Sequence, residues 1–307
     1  MQIIRCFDEL LSYAQSLGSR IVAVANAQDE AALSAVIAAK QKGIVEAKLF
    51  GDKVIIEKML QELVPDQSLE FEIFHCSNED MAVREAVRAV HNHQADILMK
   101  GKTKTGQLLK AVLDTEIGLR TGRLLSDASI IEDANRPNNQ LTIITDGGVT
   151  LKPDLQQRIE IVKNAVELAH LLGNPNPRVA LLSAIETVMP GLQATLDAAV
   201  ITKMNQRGQI RGCIIDGPLA LDNAVSPSAL RLKKIESPVG GDADILVPPD
   251  IEAANMLVKS TTLWAKFRLA HVIMGASAPV LIPSRADTSD VKLLSIALGS
   301  IVSKAAE

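Results

Sequence analysis

The stretch IPSRADTSD (282–290) sets a hydroxyl, Ser284, and a guanidinium, Arg285, just ahead of two carboxylates, Asp287 and Asp290. A guanidinium grips phosphate through two parallel hydrogen bonds. A neighbouring carboxylate accepts a proton where its position and pKa allow. These residue types suit an anionic substrate and an acid–base step. Capping of the next helix by Asp287 or Thr288 explains part of the stretch but gives no purpose to Ser284 and Arg285. A second candidate is MKGKTKTGQLLK (99–110). Gly101-Lys102-Thr103 imitates the tail of a phosphate-binding P-loop, but position 96 is Asp where that pattern needs Gly, which excludes the motif. What remains is charge. Lys100, Lys102, Lys104, Lys110, Arg120 and Arg123 face only Asp114 and Glu116. Beside a helix N-terminus such a segment suits phosphate groups; a solvated helix surface is the alternative reading.

Two further stretches are polar in the same way. In IIDGPLALDNAVS (214–226), Asp216, Asp222 and Asn223 could line a cleft, although turn and capping chemistry explains them as well. In GGDADILVPPDIEAANMLVK (240–259), Asp250 is placed to cap a helix. The histidines give no metal pair: His91 and His93 point to different sides of a helix, and His75, His170 and His271 are isolated. Cys6, Cys76 and Cys213 are odd in number and form no CxxC pair, so neither a zinc site nor a disulfide framework is expected.

The elements that must position these groups read as alternating strands and helices. Strands are expected at Arg20–Ala25, Ala47–Phe50, Phe71–His75 and Asp96–Lys100. Helices are expected at 29–42, at Lys53–Leu63, after an Asn78 cap at 79–92, and near 105–113. This spacing indicates βαβ units and a largely parallel sheet. Strands at Leu124–Ile131 and Leu141–Thr145 then follow each other across the polar loop EDANRPNNQ, which suggests a hairpin and a new domain. Alternation resumes with a helix at 154–172, a strand at Arg178–Leu182, a helix at 190–205, a strand at Gly212–Asp216 and a short helix near Ala220. A strand at Ala243–Val247, a helix at 251–267, strands at His271–Met274 and Val280–Ile282 and a last helix complete the chain. Ligands of open parallel sheets sit beyond the carboxyl ends of strands. Lys100, Asp146, Ser183, Asp216, Asp250 and Ser284-Arg285 all fall at such ends.

Composition narrows the function. The chain has 307 residues, enough for two domains or one large α/β unit. Hydrophobic residues make up 47% and aromatics only 2%, so the core is aliphatic and stacking on bases is not its mode of binding. A net charge of −4 argues against a nucleic-acid binder. Asp8 and Glu9 stand where a signal peptide would have its apolar centre, and no apolar run is long enough for a membrane span. A soluble, cytoplasmic protein with reduced thiols is expected.

Four segments then fall together: residues 97–129 (ILMKGKTKTGQLLKAVLDTEIGLRTGRLLSDAS), 216–226 (DGPLALDNAVS), 241–260 (GDADILVPPDIEAANMLVKS) and 279–298 (PVLIPSRADTSDVKLLSIAL). In order and spacing they resemble the phosphotransacylase family, most of all its phosphate butyryltransferase branch. The resemblance implies a reversible transfer of a short-chain acyl group, butyryl or branched-chain, between CoA and orthophosphate, giving acyl phosphate. It implies a two-domain, three-layer α/β fold like that of isocitrate and isopropylmalate dehydrogenases, with the site in the cleft between domains. In that fold residues 1–119 and 276–307 form one domain and 120–275 the other. It also implies a homodimer or higher oligomer, and chemistry without metal or redox cofactor, with acyl-CoA, CoA and orthophosphate as the only partners. Ser284 and Arg285 match the family's Ser-Arg pair; Arg285 would hold phosphate and Ser284 the reacting centre. Asp290 falls within about one residue of the catalytic acid, which takes the proton of the CoA thiol. Lys110 matches a basic residue of acetyl-type members, whereas Leu263 replaces one of their arginines, in keeping with a butyryl-type branch. Lys100, Lys102, Thr103, Arg120, Asp216, Asp222 and Asn223 complete the expected substrate contacts. Two other readings stand beside this one. A metal- and NAD-dependent decarboxylating dehydrogenase of the same fold would draw on Asp216, Asp242 and Asp244, and a non-catalytic CoA or acyl-phosphate sensor would bind without turnover.

Overall fold

The computed structural model describes residues 3–65, 68–133 and 140–304; most of the polar loop expected at 132–140 lies outside them. In chain order the elements are α1 (Phe7–Ser16), β1 (Arg20–Ala25), α2 (Glu30–Gln41), β2 (Val45–Gly51), α3 (Lys53–Leu63), β3 (Glu72–His75), α4 (Glu79–His91), β4 (Ile97–Lys100) and α5 (Thr105–Val112). There follow β5 (Ser126–Asp133), β6 (Gln140–Thr145), α6 (Leu155–Leu171), β7 (Arg178–Leu182), α7 (Gln193–Gln206), β8 (Ile214–Leu219), α8 (Leu221–Val225) and α9 (Pro227–Leu232). The remainder are β9 (Ile245–Val247), α10 (Ile251–Leu263), β10 (Arg268–Met274), β11 (Val280–Leu281) and α11 (Ser289–Lys304). Among the described residues no helix is long and apolar enough to cross a membrane.

The helices begin where short polar side chains can take up free backbone N–H groups. Asp29, Asp52, Asn78, Asp154 and Asp250 each accept such hydrogen bonds, and Asp154 shares a reciprocal capping box with Gln157. Helix α10 stops at Leu263, four residues short of the expected Phe267. Trp264 ends it, and Lys266 adopts a left-handed φ of 58° before β10 begins.

The chain folds into two compact units, each a sheet with helices on its faces. The terminal unit holds residues 7–123 and those from 270 onward; the central unit holds 124–269 and the residues up to Cys6. Residues 120–123 and 270–275, expected in the central domain, belong to the terminal unit. Thr121 Oγ1 donates to Gly275 O, and Ser277 N to Leu119 O at 2.9 Å, which ties the two crossings together. In the other direction Ile4 N donates to Leu172 O at 2.9 Å within the central unit.

In the terminal unit the strands run in the order β3-β2-β1-β4-β11-β10, parallel except for the β10–β11 pair. The inner strands β1 and β4 are buried, as a parallel strand covered on both faces must be, and are accordingly aliphatic. Helix α11 is buried along most of its length and packs on α1 and α2, while α4 covers β1 and β2. Gly299 makes this packing possible: a Cβ there would stand 3.2 Å from Ile97 and 3.3 Å from Leu281. The central unit has the order β5-β6-β9-β7-β8, antiparallel only between β5 and β6, so the expected hairpin pairing is present. Strand β8 continues three residues beyond the expected Asp216, because Leu219 pairs with Leu182 past an irregularity and its carbonyl accepts from Ser183 N at 2.9 Å. Asp216 therefore lies within a strand rather than at its end.

Candidate active site

Strand β4 lies between β1 and β11, and Ala25 pairs with Lys100, so three carboxyl ends meet in the terminal unit. The loops leaving these ends supply the polar groups. After β1, Asn26 takes a left-handed backbone with φ 58°. Its carbonyl accepts from Lys102 N at 2.8 Å, and its side-chain amide donates to Lys102 O. Gly101 permits this close crossing, since a Cβ there would stand 2.3 Å from Asn26 O. Lys102 projects to the surface, whereas Thr103 is buried and its hydroxyl donates to Glu79 Oε1 at 2.6 Å. Lys100 is also buried, and its ammonium donates to Thr103 O at 3.4 Å.

The Ser284–Asp287 turn lies close enough for its charges to act on Lys100. Ser284 N donates to Asp287 Oδ2 at 2.7 Å, and Asp287 N returns to Ser284 O at 3.1 Å. Of the two capping candidates, Thr288 caps α11 by accepting from Val291 N at 3.4 Å. Asp287 instead closes the turn and faces His271 Nε2 of β10 at 3.4 Å. Within the turn, Ser284 Oγ accepts from Ala286 N at 3.4 Å. Arg285 and Asp290 are exposed. Arg285 makes no hydrogen bond or ion pair among the described residues, so its guanidinium is available to a ligand. Lys292, buried in α11, donates to Ser284 O at 3.4 Å and Asp287 O at 3.0 Å, holding the turn from beneath.

Burial and neighbouring charges both act on Lys100 and Asp287. Burial pushes the Lys100 ammonium below its ordinary range, and the Lys292 and Arg285 charges push the same way against Asp29 and Asp287. Burial alone would raise the Asp287 carboxyl. The hydrogen bond and charge of His271, the Ser284 N–H and the Lys292 charge outweigh it and hold the group below the usual carboxylate range. Asp287 is thus an anion engaged in structure, while Asp290 stays exposed. Cys76 and Cys213 are unsuited to thiolate chemistry: burial raises the Cys213 thiol to about 11, and burial followed by Glu85 raises Cys76.

The structure brings Lys100 within reach of the charges of Arg285, Asp287 and Lys292, with Lys102 and Thr103 on the loop that leaves Lys100 and Asp290 on the first turn of α11. Of the other expected contacts, Lys110 and Arg120 belong to the terminal unit and Asp216, Asp222 and Asn223 to the central unit. Lys110 is exposed on the last turn of α5. Arg120 lines a cavity of about 320 Å³ with His91, Asp96 and Ser277, at the amino ends of β4 and β11 rather than beside Lys100. In the central unit, Asp216 receives the Ser237 hydroxyl. Asp222 is held low in pKa by its hydrogen bond to Lys233, 3.0 Å away. Asn223 is buried, with its carbonyl accepting from Gly241 N at 2.7 Å and its amide donating to Glu186 at 3.3 Å. Of the acids drafted for a metal, Asp242 and Asp244 both engage Arg178, Asp244 also accepts from Gln140 at 2.6 Å, and among the described residues no three His, Cys, Asp or Glu side chains are grouped to hold a metal ion. Sequence reasoning missed Lys292 and His271. A lone lysine within VKLLSIALGSIV (291–302), a helix apolar almost all round, was the available signal.

Comparison with known proteins places this geometry. Residues 58–299 match the family described as "Phosphate acetyl/butaryl transferase". A phosphate acetyltransferase of Thermotoga maritima is 43% identical over 294 residues, covering 96% of this chain and 98% of that protein. A phosphate butyryltransferase of Clostridium beijerinckii is 42% identical over 296 residues, covering 96% and 97%. The crystal structure of a branched-chain phosphotransacylase from Enterococcus faecalis V583 superimposes with a TM-score of 0.81 at 31% identity, covering 92% of this chain and 99% of that one. With relatives of this identity over nearly their whole length, the chain belongs to the phosphate acetyl/butyryl transferase family.

Proposed function

We propose that this chain catalyses the reversible transfer of a short-chain acyl group, butyryl or branched-chain, between CoA and orthophosphate. The observation that carries the reading is an unpaired guanidinium, Arg285, on a turn held over two buried lysines at the carboxyl ends of β4 and β11. In the forward direction a phosphate oxygen attacks the thioester carbonyl, the C–S bond breaks, and the CoA thiolate leaves and is protonated. In reverse, the thiol loses its proton to Asp290, its sulfur attacks the acyl carbonyl of the acyl phosphate, the bond from the acyl carbon to the phosphate oxygen breaks and orthophosphate leaves. A free thiol has a pKa of about 8.5, so few molecules are thiolate at neutral pH without such a base. Arg285 holds the phosphate and Ser284 hydrogen-bonds the reacting centre. The positive charges of Arg285 and the buried lysines stabilise the charge developing on the acyl oxygen.

In this reading the chemistry needs no metal or redox cofactor, and the protein is a cytoplasmic homo-oligomer of short-chain fatty acid metabolism. Leu263, in place of a basic residue of acetyl-type members, favours the longer or branched acyl groups. Release of free thiol from acyl-CoAs of graded length and branching, with phosphate present, tests the proposal. Butyryl- or isobutyryl-CoA is expected to exceed acetyl-CoA in kcat/KM. Phosphate-dependent thiol release from none of them would overturn the acyltransferase reading in favour of a sensor.

A further inference from the structure

Two ammonium groups are buried at the carboxyl ends of neighbouring strands. Lys100, closing β4, is 4% exposed, and Lys292, above the end of β11, is 2% exposed. Charged lysines are almost never buried to this degree unless paired. Neither of these has a carboxylate within 4.0 Å among the described residues. An ammonium carries three donors. Lys292 spends two on the carbonyls of Ser284 and Asp287, and Lys100 one on Thr103 O at 3.4 Å. The nearest acids are already engaged: Asp287 with Ser284 N and His271, Asp29 with the N-terminus of α2. Among the described residues three donors thus remain without a protein acceptor, on two cations that repel each other, with Arg285 adding a third positive charge.

We infer that Lys100 and Lys292 form a two-pronged seat for orthophosphate, with Lys292 also positioning the turn from which Arg285 meets the same anion. The inference rests on the acyl-transfer reading for the role of that anion as substrate. Orthophosphate suits the seat through its oxygen count: one oxygen faces the thioester carbonyl, and three remain for Lys100, Lys292 and Arg285. In a phosphate ester of CoA the fourth oxygen is esterified, so none is left to meet the thioester once three are held. The two lysines come from segments almost two hundred residues apart, and only Lys100 belongs to the basic stretch visible in the sequence.

The test titrates inorganic phosphate, and separately CoA, into the full-length protein by calorimetry and thermal unfolding, with steady-state kinetics alongside. The variants are Lys292→Met, Lys100→Met and Lys292→Arg. Each methionine variant is expected to bind phosphate at least about tenfold more weakly, as befits the loss of a charge-assisted contact. KM for phosphate should rise by the same factor, while CoA affinity and KM for acyl-CoA stay within about twofold. Lys292→Arg should recover part of the loss. Without phosphate, Lys100→Met should unfold no lower than wild type, because a buried charge with a single 3.4 Å hydrogen bond has gone. Unchanged phosphate affinity in both methionine variants overturns the inference. So does a loss confined to the CoA titration, or a fall in kcat and unfolding temperature with KM for phosphate unmoved, which is the signature of a merely structural lysine. If Lys292→Met fails to fold, Lys100→Met and Lys292→Arg decide by the same readouts. Wild-type protein that binds phosphate through these lysines but turns over no acyl-CoA would keep the seat and sink the proposed reaction. Turnover with lysine-independent phosphate binding would do the reverse.

Discussion

Replacing Asp287 by alanine removes the side chain that closes the turn bearing Arg285. Two interactions end together: the 2.7 Å hydrogen bond from Ser284 N and the 3.4 Å pairing with His271. A hydrogen bond to a charged group contributes about 1.5–3 kcal/mol, and a pair of this kind adds about 1 kcal/mol. A loss of about 3 kcal/mol lowers the unfolding temperature by roughly 6–12 °C in units of this size. Asp287→Asn keeps an acceptor for Ser284 N and should lose about half as much. Because the folded-state pKa is depressed, the carboxylate's contribution is fully present above the unfolded value of about 3.9 and disappears as pH falls through the folded one. The gap between wild type and Asp287→Asn should therefore be flat near neutrality and close in acid. Thermal unfolding from pH 3 to 8 reads it. With the turn released, kcat of the alanine variant should fall about 10- to 100-fold through misplacement of Arg285. Equal unfolding temperatures at pH 7, or a gap that widens below pH 4, would refute the assignment of Asp287 as an ionised turn-closing group.

Other perturbations separate the remaining roles. Arg285→Gln should cut turnover by about 100- to 1000-fold without changing the unfolding temperature, since the side chain is exposed and makes no hydrogen bond or ion pair among the described residues; a thiol-release assay and a melt check both halves. Asp290→Asn should lose more rate at pH 7 than at pH 9 in the direction that consumes CoA, because thiolate forms unaided near its pKa of about 8.5; equal losses at both pH values would remove the base role. Gly101→Ala should destabilise by about 2 kcal/mol or more in urea unfolding, because the new methyl would stand 2.3 Å from Asn26 O, which is backbone and cannot step aside cheaply.

The parallel core is legible because it is written in short aliphatic runs. RIVAVA and ILMK suit only inner strands, and Asn78, Asp154 and Asp250 announce their helices through backbone hydrogen bonds that depend on local sequence alone. Features set by distant partners are not legible. Helix α1 gives no such signal, although Phe7, Leu10 and Ala14 bury one face of it in an otherwise polar segment. The extension of β8 depends on its pairing with Leu182, far along the chain. The same holds for the site. Ser284, Arg285 and Lys100 show themselves as polar ends of apolar strands. Asp287 reads as a helix cap until His271 is placed opposite it, and Lys292 reads as one more surface lysine. Arg120 and Lys100 group by closeness in sequence, but a strand separates them: β4 carries its two ends to opposite sides of the sheet.

The insertion of β11 beside β4 has a consequence for synthesis of the chain. Until residues 280–281 emerge from the ribosome, β4 is an open edge with one flank bare of partners. The delay is 180 positions (280 − 100), or roughly 9–36 s at ordinary elongation rates. Through that interval the β3-β2-β1-β4 half-sheet also lacks the α11 cover that lies over α1 and α2. A nascent chain stalled before residue 280 should therefore be held by chaperones and cut readily by protease, whereas one released at full length is not.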